Sequence, residues 1–350
     1  MGTTERAHTR DPAVELAALA ATVASREAML ATMHEGIVLF GGDGAVRYSN
    51  PAAVNLLGGR FWNAAEVTPP ALRAAVESVL GGEQRAGAEF ETTGSIVEAI
   101  VTAAEPAGAA ILVARDVTAT RRTEQLRRDF VDNASHELKT PVSSIVALVS
   151  ALSRSSGDPE ATTKFVAMLE REAERLSALV SDLLDLSRLE NSVNQLELVA
   201  LDGVVKSVTE KLRPRAADAG LDLVIGDLPE VQVAGRDADL ELMLHNLLDN
   251  AIRYTLPAGT ITVALERDGA AAVLIVADTG IGIPETDLPR IFERFYRVGT
   301  ARDTRSGGTG LGLAIVRHVA ESHRGTVEVA SAPRAGSTFR VVLPVAEGAE

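Results

Sequence analysis

The residues best placed to do chemistry are His136 and Glu137, within the stretch SHELKTP at 135–141. A neutral imidazole is a good nucleophile toward phosphorus. A carboxylate beside it can take the ring proton or hold one tautomer. Around them Val131, Ala134, Leu138, Ile145, Leu148 and Leu152 recur at alternating short steps, which predicts a helix with a single apolar seam. His136 stands two residues from Ala134 and two from Leu138, about 200° around a helix, so it should face solvent. Pro141 has no N–H and crowds the carbonyl of Glu137, so the helix should bend or loosen one turn beyond the histidine. Taken alone, an exposed His-Glu pair is most often an ordinary surface pair. A zinc site fits worse: Thr140 stands where an HExxH helix needs its second histidine, and the six histidines are scattered.

The second half of the chain carries pieces that could serve phosphate chemistry, although alone two asparagines on a helix are more often surface polars and DxGxG could be an ordinary tight turn. In ELMLHNLLDNAIRYT, Leu240, Leu244, Leu247 and Ala251 form an apolar helical stripe, with Asn246, Asn250 and Arg253 beside it. Asparagine oxygens suit Mg²⁺, which takes few protein ligands and keeps several waters, and Arg253 can reach a phosphate. VLIVADTGIGIP ends an apolar strand on Asp278, followed by Gly280 and Gly282. A carboxylate there can accept a hydrogen bond from an adenine amino group, and the glycines let backbone lie against the base. SGGTGLGLAIVRH places Gly307, Gly308, Gly310 and Gly312 at a helix start, a backbone anion site. No Gly-Lys-Ser/Thr follows, so it is not a P-loop, and no βαβ unit begins there, so it is not a dinucleotide fingerprint.

Several elements must position these groups. Residues 13–33 carry a weak heptad seam of Leu16, Leu19, Val23, Leu30 and Met33. GIVLF-GGDG-AVRYS reads as a hairpin. NPAAVNLLGG reads as a short helix capped by Asn50, opened by Pro51 and ended by Gly58. AGAEFETT, SIVEAIVTAAE and GAAILVARDVT read as three more strands, with EPAG as a turn. From Ala119 the chain turns helical. SRSSGDPE breaks that helix, and a second runs from about 160 to 190 with Phe165, Leu169, Leu176, Leu179, Leu183 and Leu186 on its seam. One hairpin buries only part of two such stripes, so a dimeric four-helix bundle is expected. After a linker at Leu189–Leu196, strands are predicted at 195–199, 221–225, 260–267, 271–277, 325–331 and 337–343, and helices at 202–219, 237–254 and 311–323. The polar segment from Ile283 to Gly308 is too long for a plain connection and reads as a lid.

Bulk properties narrow the function. The chain has 350 residues, 46% of them hydrophobic, enough for two or three folded domains. A net charge of −14 disfavours nucleic acid as a partner. With no cysteine there are no disulfides or thiolate metal sites, which fits a cytoplasmic location. It also rules out cysteinyl-flavin photochemistry. No run of about 18 apolar residues could span a bilayer. His34 could ligate haem, but a lone histidine near a strand start is far more often structural.

Taken in order, SHELKTP, NLLDNAIRY, DTGIGI, FERFYR and GGTGLGLAI resemble the H, N, G1, F and G2 boxes of sensor histidine kinases over residues 120–345. YSNPAAVNLLG and the exit phrase RDVT resemble a PAS sensor domain over about 27–118. The resemblance implies a multidomain α+β chain: a possible coiled coil at 1–26, a PAS-like sensor at 27–118, a dimerisation and phosphotransfer hairpin at 119–190, and an α/β-sandwich ATP-binding domain of the GHKL (Bergerat) type at 195–345. It implies an ATP-dependent protein-histidine kinase that phosphorylates His136 and passes the phosphoryl group to an aspartate of a response regulator. No receiver domain follows the kinase core, so that aspartate must lie on another protein. Phosphatase action toward that partner is implied as well, with Thr140 positioning a water. Glu137 would be the proton acceptor, Asn250 with Asn246 the Mg²⁺ ligands, Arg253 a phosphate contact, and Tyr254 and Asp278 adenine contacts. Gly280, Gly282, Gly308, Thr309, Gly310, Leu311 and Gly312 would complete the nucleotide site, Phe292 and Phe295 would anchor the lid, and Arg297 and Arg302 would approach phosphate. An ATPase of the same nucleotide-binding fold would share the Asn, Asp and Gly elements but has no need of SHELKTP on a hairpin. A non-catalytic scaffold would have no need of an intact Asn250, Asp278 and glycine set.

Overall fold

The structure is a computed structural model that describes residues 21, 25, 28–105, 108–154, 158–191, 196–299 and 308–346. Most of the predicted N-terminal seam, the EPAG turn in part, Arg302 and Gly307 lie outside these residues. The chain divides into two compact units, residues 1–129 and 130–350.

The first unit is built on a five-stranded antiparallel sheet of β1 (Gly36–Phe40), β2 (Val46–Ser49), β3 (Arg85–Thr92), β4 (Ser95–Ala104) and β5 (Ala109–Asp116), in the order β2-β1-β5-β4-β3. Alternation in GIVLF puts Val38 and Phe40 in the core, where they meet Leu72 and Val76 of helix α2 (Pro70–Leu80). Helix α1 (Pro51–Leu56) starts where the sequence predicts. Asn50 caps it and is fully buried. Its Oδ1 accepts from the N–H groups of Ile37 and Ala53, both at 2.9 Å, and its Nδ2 donates to the carbonyls of Leu30 at 3.0 Å and Glu35 at 2.9 Å. Every polar atom of that side chain is satisfied, which is how an amide tolerates a core position.

Two long helices follow, α3 (Thr118–Arg154) and α4 (Pro159–Asn191). Helix α3 runs continuously through Pro141, the position at which the sequence leads one to expect a bend or loosening. Pro141 is buried on the seam, and its packing offsets the backbone hydrogen bond it cannot donate. The hairpin's apolar stripe is divided. Leu179, Leu186 and Leu189 are buried in the core of the domain that follows, whereas Val142, Val146, Val149 and Leu184 stay exposed, Val146 at 61% and Leu184 at 54%.

That domain is a layer of helices on one face of a sheet. The helices are α5 (Leu201–Asp218), α6 (Asp237–Tyr254) and α7 (Gly312–Ser322). The sheet comprises β7 (Asp222–Ile225), β9 (Thr260–Asp268), β10 (Ala271–Asp278), β11 (Thr326–Ser331) and β12 (Ser337–Pro344), in the order β11-β12-β10-β9-β7. Among the described residues, only β7 and β9 pair in parallel. A separate antiparallel pair joins β6 (Glu197–Ala200) with β8 (Gln232–Gly235), and β8 was not expected from the sequence. Alternation along β9 buries Ile261, Val263 and Leu265 against Leu240, Leu244, Leu247 and Leu248 of α6, side chains worth about 1.5–3 kcal/mol each when buried. His323, at the end of α7, is 3% exposed. Its Nδ1 lies 2.8 Å from the Val319 carbonyl and its Nε2 accepts from the Arg236 N–H at 3.1 Å, so it ties the start of α6 to the end of α7.

Candidate functional site

Helix α6 and the carboxyl end of β10 form two walls of a cleft of about 860 Å³. Asn246, Asn250, Arg253 and Tyr254 reach it from the helix, and Asp278 and Gly282 from the strand end. Gly308, Thr309, Gly310 and Gly312 close it at the start of α7. Ten of the predicted nucleotide-site residues thus line one cavity, although they are spread along the chain. Gly280 and Leu311 are not among the lining residues, and both are buried.

The backbone explains two of the glycines. Gly282 has φ +68°, and a Cβ there would stand 1.9 Å from the Ala332 carbonyl oxygen. Gly310 has φ +75°, and a Cβ there would press on the backbone of Phe295 at 2.8 Å. Phe295 itself has φ +63°, a strained value for an aromatic residue, and its N–H donates to the Gly310 carbonyl at 2.8 Å. The stem of the lid is therefore locked to the glycine turn by main chain.

Asp278 is half-buried. Its Oδ1 accepts from the Gly280 N–H at 2.7 Å, and Ser337 also hydrogen-bonds to it. Burial nevertheless pushes its carboxyl above the usual range, outweighing those bonds. Arg253 lines the cleft and is paired with Asp249, one turn back on the same helix, at 3.0 Å. Asp249 also meets Arg215 of α5.

The hairpin contributes residues that sequence reasoning missed. Asp182 and Asp185 of α4 line the mouth of the cleft, and the Thr309 hydroxyl donates to Asp182 Oδ2 at 2.5 Å. Burial raises the Asp182 carboxyl, with the charges of Asp185 and Asp249 acting in the same direction, while the Thr309 bond and Arg253 oppose it. In sequence Asp182 is one acid on a helix face that reads as solvated, so nothing marks it. Asp249 was legible in principle as the (i, i+4) partner of Arg253.

His136 does not open onto this cleft. It is exposed, as its helical phase predicts, and lines a second cavity of about 290 Å³ with Asn133, Glu137, Arg290, Glu293 and Arg294. Phe295 and Tyr296 complete that cavity, and Tyr296 also lines the cleft. The Tyr296 hydroxyl donates to Asp287 at 2.6 Å. Glu137 is paired across the hairpin with Arg175 at 3.3 Å. Thr140 borders neither cavity, and its hydroxyl lies 3.2 Å from the His136 carbonyl, to which it donates. Of the aromatic lid residues, Phe292 is buried edge-on to Phe339, and Phe295 packs on Phe130 of α3 with ring centroids 6.0 Å apart. Arg297 lines the cleft.

Residues 126–192 match the family described as the His Kinase A (phospho-acceptor) domain, and residues 235–347 match the histidine kinase-, DNA gyrase B-, and HSP90-like ATPase. The chain is 37% identical to the sensor-like histidine kinase SenX3 of Mycolicibacterium smegmatis over 238 residues, 67% of this chain and 62% of that protein. The chain belongs to the sensor histidine kinases. Within the family, similarity at 31% identity to the alginate biosynthesis sensor protein KinB of Pseudomonas aeruginosa extends over 91% of this chain and 56% of that one. The chain thus spans between half and two-thirds of the length of these two relatives. A crystal structure of histidine kinase ThkA in complex with response regulator protein TrrA shares the fold, with a TM-score of 0.52 at 20% identity over 90% of this chain and 97% of that one. Among the described residues, no helix is long and apolar enough to cross a membrane.

Proposed function

We propose that this sensor histidine kinase phosphorylates its own His136 from Mg-ATP and passes the phosphoryl group to an aspartate on a separate response regulator. The observation that carries the reading is an exposed imidazole, beside a carboxylate, on a helical hairpin packed against an ATPase-fold cleft. In the reaction the imidazole attacks the γ-phosphorus in line, the bond to the bridging oxygen breaks, and the ring proton passes to Glu137. Arg175, facing Glu137, positions that carboxylate. Asp278 reads the adenine amino group, Tyr254 packs on the base, and Arg253 with the N–H groups from Gly308 to Gly312 receives phosphate.

The donor set fits Mg²⁺. The Asn246 Nδ2 donates to the Leu242 carbonyl at 2.9 Å, which turns its oxygen toward Gly312, and Asn250 lines the cleft beside it. These hard oxygen ligands would hold the ion, which neutralises charge on the phosphates when bound. The same histidine, with Thr140 orienting a water, would serve dephosphorylation of the regulator.

Two features of the assembly belong to this reading. The exposed stripe of Val142, Val146 and Val149 with Leu184 needs a cover, and a second hairpin would supply it in a four-helix bundle. The strand order β2-β1-β5-β4-β3, with helices inserted between β2 and β3, supports a PAS-like sensor in the first unit. Incubation with labelled Mg-ATP tests the central step. The wild-type chain should gain acid-labile phosphate and H136Q none; label retained by H136Q refutes the assignment.

A further inference from the structure

The glycine turn that closes the nucleotide cleft already holds an anion of this chain. Asp182 of α4 lines the cleft together with Arg253, Gly308 and Gly310, and its Oδ2 accepts from the Thr309 hydroxyl at 2.5 Å. We infer that the Asp182 carboxylate is an internal competitor for the phosphate site. It and the phosphates of a nucleotide take the same donors by turns, so nucleotide releases this contact of the hairpin, and the contact weakens nucleotide binding. The inference rests on the nucleotide reading of the cleft given above and adds a regulator to it.

Three observations support the assignment. The first is a proton count. The Thr309 hydroxyl accepts from the Leu311 N–H at 3.2 Å, and it has a single proton to give. While that proton is on Asp182 it cannot serve a phosphate oxygen. The second is position. Leu179 and Leu186, three residues before Asp182 and four after it, are buried in the core of the ATPase domain. Steps of three and four residues share one helix face, so the same packing presents Asp182 to the glycine turn. The third is charge. Burial opposes the ionised carboxylate, the Thr309 bond favours it, Asp185 and Asp249 repel it, and Arg253 attracts it. Phosphates entering the cleft would therefore meet an acid that engages the same hydroxyl and the same guanidinium. Like charges in a half-buried site raise each other's cost, so one anion must leave as the other enters. The coupling is reciprocal: whatever weakens the Asp182 contact tightens the nucleotide by the same factor.

Full-length wild type, D182A and D182N would be titrated calorimetrically, with Mg²⁺ present, using the ATP analogue adenylyl imidodiphosphate, ADP and adenosine. The expected result for D182A is affinity for the ATP analogue raised about tenfold, the scale of one charged hydrogen bond, with a smaller rise for ADP and none for adenosine. Asparagine still accepts from Thr309 but carries no charge, so D182N should show part of the gain. It also keeps the shape of the side chain, so it decides the question if D182A folds poorly. Affinity for the ATP analogue within about twofold of wild type in both variants overturns the inference. A loss of affinity overturns it too, because Asp182 would then serve the bound nucleotide. An equal rise for adenosine also overturns it, because the hairpin would then block the whole cleft and not the phosphates. A wild-type chain that binds none of the three ligands refutes the nucleotide reading and the inference with it, whereas binding without a gain in the variants refutes the inference alone.

Discussion

Replacing Asp278 by asparagine separates its service to the nucleotide from its effect on the fold. Its carboxyl is held by Gly280 N–H at 2.7 Å and by Ser337, and burial still raises its pKa. A charged hydrogen bond to the adenine amino group contributes about 1.5–3 kcal/mol. Asparagine has one oxygen and cannot present it both to Gly280 and to the base, so D278N should weaken ATP and ADP binding by about tenfold or more. The unliganded fold should respond in the opposite sense, because the substitution removes a charge that burial disfavours, so its Tm should equal or exceed that of wild type. The pH dependence follows from the direction of the shift. A carboxyl with a raised pKa binds its proton more tightly in the folded chain than in the unfolded one. Its cost to stability is full above the folded pKa and is relieved as pH falls through it toward the unfolded value of about 3.9. The stability gap between D278N and wild type should therefore close on acidification. Calorimetric titration of nucleotide, with thermal unfolding of both proteins across that range, measures all three quantities. Binding within about twofold of wild type, or a D278N protein less stable than wild type without nucleotide, would show that Asp278 serves the fold and not the base.

Two further substitutions probe the supports of the site. G310A places a side chain at φ +75° against the Phe295 backbone and should cost about 1–3 kcal/mol, seen as looser nucleotide binding and faster proteolysis of the lid stem. H323L leaves the Arg236 N–H without its acceptor at the junction of α6 and α7, and should lower stability in a urea titration by about 1–3 kcal/mol; an unchanged midpoint would show that a water replaces the imidazole.

What could be read from the sequence was local. Helix α6 begins and ends where its pattern predicts, because its apolar stripe and the acids of its first turn all lie within Asp237–Tyr254. Asn50 and Pro51 likewise announce the start of α1. The strand β8 was missed because its four residues are specified by pairing with β6, more than thirty positions earlier, and by nothing in their own composition. Arg175 and Asp182 were invisible for one reason. Each looks like a solubilising charge on its own element and gains meaning only from the group opposite it: Glu137 or Thr309.

The arrangement of those facing groups has a mechanical consequence. The nucleotide cleft and the histidine cavity share Tyr296 as a lining residue, its hydroxyl donating to Asp287, but His136 does not line the cleft. In-line transfer needs the ring nitrogen near the γ-phosphorus, so the packing seen here is not the transfer geometry. Reaching it requires the hairpin to shift on the ATPase domain, against the packing of Phe295 on Phe130, the hydrogen bond from the Thr309 hydroxyl to Asp182, and the burial of Leu179, Leu186 and Leu189 in the domain core. On the proposed reaction, an enzyme that first takes a phosphoryl group and then surrenders it to another protein benefits from such separation. A histidine kept against bound ADP would return the group to it. The closed packing shelters His136 from the nucleotide, and because Leu179, Leu186 and Leu189 are buried in the same core, a signal that shifts the hairpin must act against apolar burial as well as against these two contacts.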